Sequence, residues 1–75
     1  PTDFLQNADP GCVFTFGYNT GRCDATYGPG RAHACCYLQA ERDFYQCVGD
    51  VECANYAQMI YTLDCINRPH GGEVV

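Results

Sequence analysis

The stretch that decides the fold is Cys35-Cys36-Tyr37-Leu38-Gln39-Ala40-Glu41-Arg42-Asp43-Phe44-Tyr45-Gln46-Cys47-Val48-Gly49-Asp50-Val51-Glu52-Cys53. Cys36, Ala40, Phe44, Cys47 and Val48 recur at helical spacing as an apolar stripe, widened by Leu38 and Tyr45. Gln39, Glu41, Arg42, Asp43 and Gln46 fall mainly on the other side. The pattern predicts a helix over about 31–48. Gly49 stands where a helix C-terminus takes a residue tolerant of positive φ. Asp50 follows at once as the N-cap of a second helix, with Glu52 in the first turn, where the helix dipole favours an acid. That helix is expected to run over about 50–67, with Cys53, Tyr56, Ala57, Ile60 and Leu63 on its inner stripe. Pro69 ends it by biasing Arg68 away from helical geometry. Two helices across a Gly-Asp break make an antiparallel hairpin.

Upstream of the hairpin the pattern changes. Cys12, Phe14, Phe16 and Tyr18 alternate with Val13, Thr15 and Gly17, a period-2 pattern suited to a short strand. Asn19-Thr20-Gly21 then reads as a turn, with Arg22 to Tyr27 returning as a second strand. An irregular, crosslinked segment with one helical turn at Phe4 to Ala8 fits the same residues, and both readings stay open. Asp9-Pro10-Gly11 and Gly28-Pro29-Gly30 mark turns, and residues 68–75 read as a loose tail. The expected fold class is therefore small, disulfide-rich and mainly α. It is an antiparallel helical hairpin (about 31–48 and 50–67) with an irregular, partly helical or short β-hairpin N-terminal third, in one domain over 1–75.

Seven of the 75 residues are cysteine, a density typical of disulfide scaffolds in short secreted chains. So small a chain builds little core and leans on crosslinks, and crosslinks persist only in oxidising compartments. The expected location is extracellular. Pro1-Thr2-Asp3-Phe4 has neither an initiator Met nor the basic-then-apolar pattern of a signal peptide, so a leader is expected to have been removed. No apolar run approaches the ~18 residues of a membrane span. The net charge is -5, and all four basic residues are arginine (Arg22, Arg31, Arg42, Arg68). Such a surface repels phosphate backbones and anionic headgroups, which argues against nucleic acid and acidic membranes as partners.

The sulfur pairing is limited by helix geometry. At about 1.5 Å per residue, Cys53 and Cys65 lie roughly 18 Å apart along one helix, as do Cys35 and Cys47, whereas a bridge needs Cα atoms within about 7 Å. Bridges between helices are favoured. A hairpin centred on Gly49-Asp50 brings Cys47 near Cys53 and Cys35 or Cys36 near Cys65, and the preferred scheme pairs Cys47 with Cys53 and Cys36 with Cys65. Cys35, pointing about 100° away from Cys36, then reaches Cys12 or Cys23. One of the seven is left free or intermolecular, which admits a homodimer.

His33, near Cys35 and Cys36, is the one constellation that looks reactive, but oxidised cysteines offer no nucleophile. The cysteine spacings match no zinc site. No catalytic residue, metal ligand or cofactor site is assigned. Cys-Cys on a helix followed by a crosslinked helix is similar to the secreted calcium-dependent phospholipases, but Cys36 is followed by Tyr37-Leu38-Gln39 and the chain has no His-Asp dipeptide. Six tyrosines and four phenylalanines suit a recognition face instead.

The Lys-free acidic composition, Asp3-Phe4, Asp9-Pro10 ahead of the first cysteine, Cys12-x10-Cys23, the vicinal Cys35-Cys36 and Cys47-x5-Cys53 form one set. With these features the chain resembles the water-borne protein pheromones of the ciliate genus Euplotes. The resemblance covers the cysteine skeleton and few other identities. That family usually has an even number of cysteines and bundles of three helices. This chain has seven cysteines, a longer second helix and a glycine- and aromatic-rich first third. The resemblance implies a diffusible signal that binds a cell-surface receptor and self-associates. The expected function is a secreted signalling ligand that performs no chemistry. A secreted cysteine-rich toxin or pathogen effector is the alternative, and a small phospholipase-like hydrolase the third. The lack of lysine favours the first over a channel toxin.

Overall fold

The structure is a computed structural model and describes residues 9–67. Asp9 opens the first helix: its carboxylate accepts from the Gly11 amide at 2.7 Å and Pro10 occupies the first turn, where a missing N–H costs nothing. Helix α1 runs Pro10–Thr26, α2 Arg31–Val48 and α3 Val51–Tyr61, and Thr62–Ile66 add one π-helical turn closed by the Asn67 amide on the Thr62 carbonyl at 2.9 Å. The mainly α, disulfide-rich class stands, and so does the hairpin.

The hairpin turn forms as its residues dictate. Gly49 adopts φ 83°, its amide bonds the Gln46 carbonyl, and the Asp50 amide bonds that of Tyr45. These are the paired bonds of a Schellman C-cap, which only a residue without Cβ enters freely. Asp50 then caps α3, accepting from the Cys53 amide at 3.1 Å. At the other end of α2, Gly30 takes φ 147° and its carbonyl receives the Ala34 amide.

The strand expected from Cys12 to Tyr18 is corrected to helix, as is the return strand over Arg22 to Tyr27, apart from its last residue, where α1 ends in an extended Tyr27. The aromatic alternation is split by the helix: Phe16 turns in against α2, while Phe14 and Tyr18 point out. The residues withdrawn from solvent are Cys12, Phe16, Asn19, Thr20 and Cys23, a helical repeat. The helical turn at Phe4 to Ala8 and the tail 68–75 lie outside the described residues.

α1 and α3 each pack on α2. The buried residues among those described are Cys12, Cys23, Ala40, Phe44, Ala54, Ala57 and Cys65. Phe44 is the one large side chain in that set, and it meets Phe16 at a centroid distance of 5.1 Å and Tyr45 edge-on. Ala54 and Ala57 face α2, and their small side chains allow close approach. The inner stripe expected for the second helix is corrected accordingly: Cys53 and Ile60 are half-buried, but Tyr56 and Leu63 face solvent.

Sulfur holds this thin core together. Cys12 bridges Cys47, Cys23 bridges Cys36, and Cys35 bridges Cys65. The expected pairs Cys47–Cys53 and Cys36–Cys65 do not form. Cys35 reaches α3 and not α1, and Cys53 is left as a free thiol. The physical reason is rotation about the α2 axis. Cys36 and Cys47 are eleven residues apart, about three helical turns, so they share the face turned to α1. Cys35, one residue away, faces α3. The loops closed span 35, 13 and 30 residues, and chain-entropy arguments assign such bridges about 3–4 kcal/mol each.

Candidate recognition surface

Each helix interface is fastened at both ends. α1 is tied to α2 by Cys12–Cys47 at one end and by Cys23–Cys36 at the other. α3 joins α2 through Gly49-Asp50 and, at its far end, through Cys35–Cys65. Side-chain pairs support the second interface: Gln39 donates to the Tyr61 hydroxyl at 2.6 Å, Arg42 to Gln58 at 2.7 Å, and the Arg31 guanidinium to the Asp64 carbonyl. With helix rotation fixed by covalent bonds, the side chains left outside are held outside.

Those outside are large. On α1, Val13, Phe14 and Tyr18 are exposed, with the Arg22 guanidinium 6.0 Å from the Tyr18 ring centre. On α3, Tyr56 is 62 % exposed and Met59 48 %, continued in the π-helical turn by Leu63 at 53 % and Ile66 at 57 %. Spacings of three and four residues put Tyr56, Met59 and Leu63 on one side of the helix, opposite Ala54 and Ala57. Single exposed apolar residues are ordinary, but a contiguous exposed apolar patch marks an interaction site.

His33 takes a different role from the one its neighbours suggest. Cys35 and Cys36 are both bridged, so neither offers a thiolate. Instead His33 Nε2 lies 2.6 Å from Asp24 Oδ1, and the Tyr37 hydroxyl donates to the same carboxylate at 3.1 and 3.2 Å. The His33 and Tyr37 rings stack at 4.6 Å. These bonds, His33 first, hold the Asp24 carboxyl below its ordinary value. Desolvation and then the Asp24 carboxylate push the Tyr37 phenol up. The trio is an exposed clamp between the end of α1 and the start of α2.

Cys53, the seventh cysteine, is half-buried beside the α3 cap. Its hydrogen bond with Asp50, then desolvation and the Asp50 and Glu52 charges, raise its pKa, which keeps the sulfur a thiol and a poor nucleophile at neutral pH. Two open depressions of ≈ 260 and ≈ 370 Å³ meet at Tyr27, Cys36 and Gln39, floored by the Cys23–Cys36 and Cys35–Cys65 sulfurs. Among the described residues no group of three or more His, Cys, Asp or Glu side chains is placed to hold a metal ion, and no helix is long and apolar enough to cross a membrane.

Sequence reasoning assigned the recognition role to tyrosines in general but placed Tyr56 and Leu63 inside. The signal that separates the faces is size: alanines at 54 and 57 mark the side that approaches α2, and large residues at 56, 59 and 63 the side that does not. The same kind of signal was available for the bridges, since Cys12–Cys23 and Cys36–Cys47 have equal spacing. No protein-family model, no curated protein and no solved structure matches this chain.

Proposed function

We propose that the protein is a secreted signalling ligand, similar in kind to the Euplotes pheromones, that acts by binding a cell-surface receptor through its helical surface and performs no chemistry. The observation that carries this reading is the inverted distribution of size. Alanine, half-cystine and a single large residue, Phe44, fill the interior among the described residues, while Phe14, Tyr18, Tyr56, Met59 and Leu63 stand in solvent. A monomer gains nothing from exposing them; a binding surface does, because aromatic residues and Met are enriched where proteins meet. Three disulfides suit an extracellular life, and the raised Cys53 pKa suits a surface without a reactive thiol.

The test is binding of the fluorescently labelled, oxidised protein to the cells that secrete it. Saturable binding, competed by unlabelled protein and followed by a cellular response, is expected. Absence of binding there, together with binding to or damage of other organisms' cells, would overturn the reading in favour of a toxin or effector.

A further inference from the structure

The outward face of α1 has a feature that packing within the chain does not account for. Gly17 and Gly21 are exposed and interior to the helix, where glycine weakens it. A Cβ added at either would meet nothing within 4 Å, so no neighbour in the chain requires the missing side chains. Beside them stand two aromatic residues in solvent, Phe14 at 74 % exposure and Tyr18 at 60 %. Phe14 and Gly21 are seven residues apart, about two helical turns, so a projection and a notch lie on one line along the helix. From Pro10 to Gly21 the chain carries no Asp, Glu, Lys, Arg or His. Next beyond it, Arg22 stands over its own Tyr18 ring, and Asp24 is held by His33 and Tyr37. In a molecule of net charge -5, this face is uncharged.

We infer that the outward face of α1 pairs with the same face of a second copy of this chain, the two helices packing antiparallel about a two-fold axis. Such a contact needs a surface that complements itself. With Phe14 of one copy seated on Gly21 of the other, the axis seats the second Phe14 on the second Gly21 as well. Gly17 then falls at the midpoint, where its missing side chain lets the helix axes come within the usual spacing of about 8–10 Å. Two acidic copies can approach here because uncharged residues meet uncharged residues, the composition expected at the centre of a protein interface. The stripe of Tyr56, Met59 and Leu63 offers no such complement, since all three are large. Cys12–Cys47 and Cys23–Cys36 hold the rotation of α1, so the face is formed before the second copy arrives. The contact is noncovalent and independent of Cys53, which lies on α3. A helix of 17 residues is about 25 Å long, which puts the contact among small, transient interfaces. The dimer leaves Tyr56, Met59 and Leu63 of both copies outside, so a receptor would meet them twice; that consequence alone rests on the ligand reading.

The test is self-association of the intact oxidised protein, without cells. Sedimentation velocity over about 0.01–1 mM is expected to show a rapid monomer–dimer equilibrium. Amide shifts of Val13, Phe14, Gly17 and Gly21 should move with concentration, and those of Tyr56 and Met59 should not. Raising salt from about 20 to about 200 mM should strengthen the dimer by screening the repulsion between two acidic copies. Phe14→Ser removes the projection and should weaken association about tenfold or more, with an otherwise unchanged amide spectrum showing that the fold is kept. Gly21→Leu separates fold from contact. It should raise the thermal midpoint of dilute protein, being a better helix former at an open position, yet weaken association by about tenfold or more through overfilling the notch. Leu63→Asp should leave association unchanged. A protein that stays monomeric throughout, a dimer that survives Gly21→Leu, concentration-dependent shifts centred on Tyr56 and Met59, or a dimer joined through Cys53 would overturn the inference. The two readings fail separately: a monomer that binds cells keeps the ligand role and removes the dimer, and a dimer that binds no cell does the reverse.

Discussion

Asp50 serves two groups at once. Its carboxylate caps α3 through the Cys53 amide and stands against the Cys53 thiol, raising that thiol's pKa from the ordinary 9.0. Asn caps a helix about as well as Asp but carries no charge. Asp50→Asn should therefore leave the fold intact and speed alkylation of Cys53 by iodoacetamide at pH about 8, because more of the sulfur is thiolate. An unchanged rate would remove Asp50 as the cause. Asp24 carries the opposite shift. Its carboxyl titrates in the folded protein below the ordinary 3.8, held there by His33 and Tyr37. A group whose folded pKa is depressed contributes stability that is present above its unfolded value and lost as pH falls through the folded one. Asp24→Asn should consequently flatten the decline in unfolding free energy below about pH 4, measured by urea titration at a series of pH values. Because all three side chains are exposed or partly so, added salt should lessen the effect.

Among the elements, α1 depends most on its neighbours. Gly11, Gly17 and Gly21 lie within it, and each interior glycine costs a helix about 1 kcal/mol relative to alanine. Thr20, a weak helix former, bonds back to the Phe16 carbonyl at 3.0 Å. What keeps the segment helical is the Phe16–Phe44 contact and a bridge near each end. A Cβ added at Gly17 or Gly21 would meet nothing within 4 Å, so Gly17→Ala and Gly21→Ala should each stabilise the protein by about 0.5–1 kcal/mol, read as a raised midpoint of thermal unfolding. A lowered midpoint would mean that these positions are not helical and interior. The same weakness hid α1 in the sequence. Phe14, Phe16 and Tyr18 alternate as in a strand, local propensity offers no objection, and only the spacing of Cys12, Phe16 and Cys23 gives the helical period. The α2–α3 turn, in contrast, was legible because one glycine and one aspartate each satisfy a specific backbone need.

At the scale of the molecule, covalent bonds take the place of a large core. Cys12, Cys23 and Cys65 together with Ala40, Phe44, Ala54 and Ala57 supply the interior among the described residues, and the three bridges fix how each helix is rotated. The existence of α2 and α3 could be read from periodicity. Helix rotation could not, because a choice between Cys35 and Cys36 as the partner of α3 turns on about 100°, which apolar patterning in so short a chain does not resolve. That choice decides which side chains of α3 face outward, so it also decides where the recognition surface lies. The pairing is tested directly by mass mapping of a digest made under acidic, non-reducing conditions after alkylation of free thiol. The account predicts a peptide linked through Cys12 and Cys47, a three-peptide cluster joining Cys23, Cys35-Cys36 and Cys65, and Cys53 recovered alkylated. A peptide linked through Cys47 and Cys53, or seven alkylated cysteines in folded protein, would contradict it.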